Sequence, residues 1–431
     1  MKPTCLIISP CGTVSGYGSR SRDLIRSIIS LDKYEVKLIS TRWGNTPINA
    51  LMSGKDDDII SRLVERVDSQ PDLCIHVTVP NEFQPIGKFN IGVTAGIETT
   101  MCSAEWLEGC NRMQLILVPS KHSKDVFMNT KFDKINSQTK QKEGVLSLTT
   151  PIEVLFEGLD IDTFTKTNEI SARIVESLSE VNEKFCFLFT GHWLQGDFKQ
   201  DRKNIGLLIR LFYETFKNKQ NAPALILKTS GGTFSHTDRL NIINKINSIK
   251  SSVSAVRLPN VYLLHGDLSE SEMNSLNNHP KVKAAISLTK GEGFGRPLME
   301  FAVTGKPVIA SAWSGHIDFL DKDLTFLVPG NLEQVHQSTV WQGVIIPESS
   351  WFSVDESYAM SIMNLVFEKY DDCLVKSRKM TKHVKDHFTL SAMTERVKEI
   401  VESKVPEFPK MQTIQLPKLK KVQLPKLDGT N

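Results

Sequence analysis

Residues 291–300 read Gly291-Glu292-Gly293-Phe294-Gly295-Arg296-Pro297-Leu298-Met299-Glu300. The run Ala284–Leu288 before them is an apolar strand pattern, and Leu298, Phe301, Ala302 and Val303 after them give an apolar helix. Pro297 suits a first helical turn, where no N–H partner is needed. The glycines let backbone approach a ligand closely, and free N–H groups at Phe294, Gly295 and Arg296 favour a phosphate there. Glu300 follows about four residues into the helix, roughly 6 Å along its axis. Glu292 and Glu300 are therefore placed to touch different parts of one ligand. A carboxylate set among Met299, Phe301 and Ala302 needs a partner, because burial without one is costly.

The same strand–loop–helix rhythm extends in both directions. Cys5–Ser9, Val36–Ser40, Leu73–Val79, Ile91–Ala95, Leu115–Val118 and Ile152–Phe156 read as strands of a first half. Phe185–Thr190, Ala224–Lys228, Val261–His265, Ala284–Leu288, Pro307–Ser311 and Phe326–Val328 make a second. Alternation with amphipathic stretches such as Ser19–Ser30 implies parallel sheets covered on both faces. The expected fold class is α/β, two Rossmann-like domains facing across a cleft, with ligands beyond the carboxyl ends of the strands. The expected boundaries are 1–175, 176–385, a C-terminal helix at 386–404 that packs back on the first domain, and a basic extended tail at 405–431. Polar residues 131–150 are expected as a surface loop.

The quoted segment resembles the Glu-x7-Glu signature of retaining glycosyltransferases with the two-domain GT-B fold, the family 4 group. Gly305-Lys306-Pro307-Val308-Ile309-Ala310 is similar to the strand that follows that signature. Arg202-Lys203-Asn204 resembles its basic phosphate-binding pair, Gly158-Leu159-Asp160 with Phe164 its domain-closing segment, and Gly16-Tyr17-Gly18 its first Gly-rich loop. The wording of residues 75–125, with Trp106, Asn111 and Val118-Pro119-Ser120, resembles phage-encoded members.

The resemblance implies a nucleotide-diphosphate sugar as co-substrate, no cofactor and no metal. Glu300 would accept the ribose hydroxyls, and Glu292 would contact the transferred sugar with backbone groups of Gly293, Phe294, Gly295 and Arg296. Arg202 and Lys203 would neutralise the departing diphosphate. His192, Gly266 and Gly16 would complete the donor side, Gly266 through backbone contact with the nucleobase. Glu98 and Tyr17 would face the acceptor, a glycan or a hydroxymethylated DNA base. One departure stands out: many relatives carry Arg where this chain has His192. Either His192 replaces that Arg or Arg202 supplies the charge, and the second is preferred. A nucleotide-sugar-binding protein without turnover and a nucleotide-sugar epimerase are the competing readings.

Other signals carry less. Gly16-Tyr17-Gly18 lacks a third glycine, and Ile39-Ser40-Thr41-Arg42 offers no acid for a ribose, so a dehydrogenase is not expected. The triplets Asp56–Asp58, Asp160–Asp162 and Asp321–Asp323, and the pair His383/His387, are assigned no metal. Trp313-Ser314-Gly315-His316 follows a strand end and receives no role. Among 431 residues, 40% are hydrophobic and 23% charged, which excludes a disordered chain. No apolar run approaches the ~18 residues of a membrane span. Seven cysteines without a Cys-x-x-Cys pair point to a reducing, cytoplasmic setting. Net charge is +3, but residues 409–431 carry five lysines against Asp428, which leaves −1 over the first 408. Any polyanion contact is expected to begin at that tail. The oligomeric state is left open.

Overall fold

A computed structural model describes residues 2–409, and the Lys/Pro-rich segment from 410 onward lies outside the described residues. The first half contains β1 (Thr4–Ser9), α1 (Gly16–Ser30), β2 (Glu35–Ser40), α2 (Asp57–Ile60), β3 (Leu73–Val77) and β4 (Phe89–Val93). It continues through α3 (Ala104–Asn111), β5 (Leu115–Val118), α4 (Lys121–Asn129), β6 (Phe132–Ile135), β7 (Lys142–Leu146) and β8 (Ile152–Val154). Its main sheet runs β2-β1-β3-β4-β5-β8 and every pair is parallel. Strand β3 is buried along its whole length, which is why Leu73–Val77 reads as an unbroken run rather than an alternation.

The second half begins with α5 (Ala172–Ser177), β9 (Cys186–Thr190), α6 (Ile205–Phe216), β10 (Ala224–Lys228), α7 (His236–Ser251) and β11 (Val261–Leu264). Then come α8 (Glu270–Asn278), β12 (Val282–Ser287), α9 (Arg296–Ala302), β13 (Val308–Ser311), β14 (Phe326–Val328), β15 (Gly330–Gln334) and β16 (Ser350–Val354). The sheet order is β11-β10-β9-β12-β13-β14, again parallel. The order in which successive strands are added reverses between β9 and β12. The loops after those two strands therefore border the crevice where open α/β sheets take ligands.

Helices α10 (Glu356–Glu368) and α11 (Tyr370–His387) finish the second domain, and α12 (Leu390–Lys404) crosses to the first. There Met393, Val397, Ile400 and Val401 join Leu24, Ile25 and Ile28 of α1 in one core, and Ser27 Oγ meets Thr394 Oγ1 at 2.9 Å. The domains are also linked where Leu159 N–H donates to Phe388 O and Leu390 N–H donates to Leu159 O, both at 2.8 Å.

Two features depart from the sequence expectation. Residues 131–150 are not simply a loop, because β6 and β7 pair antiparallel. Asn136 Oδ1 accepts the N–H groups of Gln138 and Thr139 at 2.9 Å, closing a turn that lets two largely exposed strands meet. Strands β15 and β16 form a second antiparallel hairpin that the sequence reading did not anticipate. All seven cysteines are buried free thiols. Among the described residues, no helix is long and apolar enough to cross a membrane.

Candidate active site

The loops after β9 and β12 meet at the point of sheet reversal. Lys203 comes from the first and Glu292 from the second, and Lys203 Nζ donates to Glu292 Oε1 at 2.5 Å. Arg202 Nη1 donates to Gly291 O at 3.0 Å and lies 3.4 Å from Glu292 Oε2. The same guanidinium is 3.6 Å from Glu98 Oε1, which belongs to the loop after β4 in the other domain. Four of the residues singled out from sequence thus form one chain of charge across the cleft.

Burial alone would raise the Glu292 carboxyl, but Lys203 and Arg202 outweigh it and hold it at about 2. Glu292 is therefore ionised at neutral pH. Desolvation lowers Lys203 from the ordinary lysine range, with Glu292 pulling the other way. The preceding turn is set by Asn204, whose φ of 55° is a left-handed value that Asn tolerates. Asp201 Oδ2 then accepts from Ile205 N–H at 2.9 Å at the start of α6. These two residues orient the pair that precedes the helix.

Glycine is required where the domains touch. A Cβ on Gly291 would lie 1.9 Å from Glu98 O, and one on Gly293 would lie 2.0 Å from Ala95 O. Both obstacles are backbone atoms, so Gly293→Ala is expected to force the loops apart. A lowered thermal midpoint and, for the nucleotide-sugar donor that the resemblance implies, at least a tenfold fall in affinity (about 1.4 kcal/mol) are the expected results. Calorimetry and isothermal titration measure them, and an unchanged variant would show that the two loops are free to separate.

A second ionic group sits on α9. Arg296 Nε donates to Glu300 Oε1 at 2.9 Å, and its Nη1 pairs at 2.7 Å with Asp23 Oδ2 of α1. Arg296 therefore spans the domains and provides the partner that an acid on this apolar helix needs. Burial raises Glu300 to about 7, against the opposing pull of Arg296, with Glu270 and Glu157 adding to the rise.

The remaining sequence candidates fall around these groups. His192 is exposed, and its Nδ1 lies 3.0 Å from Ser230 Oγ; desolvation, then Lys203, Lys228 and Arg202, lower its imidazole from the ordinary range. Gly266 offers its carbonyl to Lys228 Nζ at 2.6 Å. Gly16 opens α1, whose N-cap Ser15 accepts from Gly18 N–H at 3.0 Å. Tyr17 stacks on Trp43, and its hydroxyl lies 3.0 Å from Thr94 Oγ1 and accepts Ala95 N–H at 2.9 Å. Tyr17 thereby holds the loop that leads to Glu98. Phe294 turns its side chain into the core against Phe319, leaving only its backbone at the loop. Gly295 caps α9 with φ 94°.

Sequence reasoning missed Asp23 and Lys228. Asp23 lies on the buried side of α1 and Lys228 ends a strand; neither carries a motif, and only the fold brings them to the cleft. His122 and Trp313, from opposite domains, pack edge to face at 4.6 Å. Nearby His316 is fully buried, and its Nε2 lies 2.6 Å from Ser311 O. Among the described residues, no group of three or more His, Cys, Asp or Glu side chains converges as metal ligands.

Solved structures share this fold. The chain is similar to a glycosyltransferase from Rickettsia africae ESF-5, with TM-score 0.61 and 14% identity over 93% of this chain and 98% of that one. It is similar to sucrose-phosphate synthase from Thermosynechococcus elongatus, with TM-score 0.61 and 11% identity over 93% and 98%. It is also similar to Anabaena HepE in complex with UDP-glucose, with TM-score 0.58 and 13% identity over 93% and 100%. No protein-family model matches the sequence, and no curated protein matches it. At these identities the likeness establishes the fold: two Rossmann-like domains in the GT-B arrangement.

Proposed function

We propose that this chain is a retaining glycosyltransferase that moves a sugar from a nucleotide-diphosphate sugar to an acceptor hydroxyl without a metal. The observation that carries this reading is the Lys203–Glu292–Arg202 contact at the reversal point of the C-terminal sheet. As the glycosidic bond breaks, the diphosphate gains negative charge, and fixed cations stabilise charge that develops in the transition state. Lys203 and Arg202 supply it, Arg202 providing the charge where relatives carry an Arg and this chain has His192. The ionised Glu292 holds sugar hydroxyls. The acceptor attacks from the face the diphosphate leaves, which preserves the anomeric configuration and needs no carboxylate nucleophile.

Anabaena HepE binds UDP-glucose, and a uridine diphosphate sugar is the donor we assign here. A cytoplasmic setting suits seven buried thiols. The family 4 assignment, the phage-like origin and the acceptor, a glycan or a hydroxymethylated DNA base, belong to the same proposal.

Glu300 is assigned to the ribose, where a carboxylate accepts two hydroxyl protons and a neutral acid accepts less well. Its carboxyl titrates at about 7, so donor affinity is expected to rise as pH increases from 6 to 8. Isothermal titration of UDP-glucose should show a several-fold fall in Kd over that interval. Glu300→Gln should bind weakly and lose the pH dependence. A Kd that is flat in the wild type, or undiminished in the variant, would remove Glu300 from the donor site.

A further inference from the structure

A cavity of about 750 Å³ opens beside the charge cluster, on the side of Arg202 formed by α7 and the β15–β16 hairpin. Its walls include Trp193, Trp341 and Trp351 together with Arg202 and Glu98 of the charge cluster. Trp193 and Trp351 are buried supports, each with a lysine ammonium over the ring, Lys245 at 5.1 Å and Lys290 at 5.4 Å. Trp341, by contrast, is 54% exposed, and Leu194 on the same cavity is 40% exposed. Large apolar side chains left bare around a concavity mark a place where something binds.

The hairpin connection is fastened to the N-terminal domain. Ser103 Oγ donates to Gly343 O at 3.0 Å, Thr100 N–H donates to Ser350 O at 2.8 Å, and Ser350 N–H donates to Thr100 Oγ1 at 2.8 Å. These bonds place Trp341 and Trp351 over the loop that carries Glu98. The cavity therefore adjoins the guanidinium that lies 3.4 Å from Glu292, and both domains contribute to its wall.

Resting on the proposed glycosyl transfer, we infer that this cavity is the acceptor site and that it takes a neutral sugar ring. An aromatic platform fits the apolar face of a pyranose, and Asn241 and Asn244 of α7, which line the cavity, supply amides for its hydroxyls. Charge argues against a nucleic acid here. The four charged lining residues are Arg202 and Lys245 against Glu98 and Asp238, a balance of zero. A phosphate backbone calls for a positively charged groove beside its stacking platform. The hydroxyl that attacks would enter beside Glu98, which accepts its hydrogen bond, and its proton leaves with the diphosphate as the new glycosidic bond forms.

Titration of the donor-free protein with methyl glucosides, methyl galactosides and methyl mannosides, followed by indole fluorescence and saturation-transfer NMR, tests this. At least one glycoside should bind saturably, and Trp341→Ala should weaken it about tenfold, the loss expected for one aromatic anchor. Because Trp341 is largely exposed, the variant should fold and bind UDP-glucose with unchanged affinity. Absence of glycoside binding, binding indifferent to both Trp341→Ala and Asn241→Ala, or binding of a short oligothymidine at Trp341 instead would overturn the inference. If UDP-glucose fails to bind the wild type, the proposed glycosyl transfer falls, and the glycoside titration still decides whether the cavity takes a sugar.

Discussion

Replacing Lys203 by Ala is expected to lower kcat for sugar transfer about 10²–10³-fold, the cost of removing one fixed group that stabilises transition-state charge. The ammonium is matched to Glu292, which fixes its position beside the loop after β12. On the proposed sugar transfer, an entering diphosphate would take over part of that pairing through its phosphate oxygens. Charge on those oxygens grows during bond cleavage, so the loss should fall on kcat more than on KM. Lys203→Arg keeps the charge but changes its reach, and an intermediate rate is expected. Steady-state release of UDP measures each variant. A change of less than about threefold in Lys203→Ala would take this residue out of the chemistry.

The second large effect concerns Glu292. Its side chain is 8% exposed and lies between two cations, so Glu292→Ala leaves buried positive charges facing each other. Breaking a buried pair by removing one partner costs on the order of 3–5 kcal/mol. The depressed carboxyl of Glu292 implies a comparable magnitude. Folded Glu292 sits at about 2 against an ordinary value of 4.5, which corresponds to roughly 3 kcal/mol. This contribution is fully present above the unfolded value and is lost as pH falls toward the folded one. Wild type and Glu292→Ala should therefore differ most in thermal midpoint at pH 7 and converge between pH 4.5 and pH 2. Equal midpoints at pH 7 would contradict the buried pairing. Glu292→Gln retains the shape and should recover part of the stability without recovering transfer.

The elements closest to the chemistry were legible because their signals are local. Gly291 to Glu300 carries a strand end, a tight approach, a helix start and an acid within ten residues, and each feature appears in the structure where its residue type places it. The second sheet was readable for a related reason: its central strands β9, β10, β12 and β13 are buried on both faces and so appear as short apolar runs. Strand β15, Gly330-Asn331-Leu332-Glu333-Gln334, has almost no strand propensity of its own. It is held by partners about twenty residues away, Trp351 and Phe352 among them, so its pairing was hidden. Asp23 and Lys228 were hidden in the same way, since each gains its role from a residue far along the chain. The sequence identified Arg202 and Lys203 as a pair, but only the fold shows that Arg202 also reaches Glu98 in the other domain. The repeat Gln415–Leu419 and Gln423–Leu427 falls outside the described residues.

Stereochemistry tests the account most directly. Proton NMR can follow the anomeric signal of UDP-α-glucose incubated with the wild-type protein and the methyl glycosides. The expected result is an α-linked product with stoichiometric UDP, and no product above background with Lys203→Ala. A β-linked product, or consumption of donor at the same rate in wild type and Lys203→Ala, would contradict it.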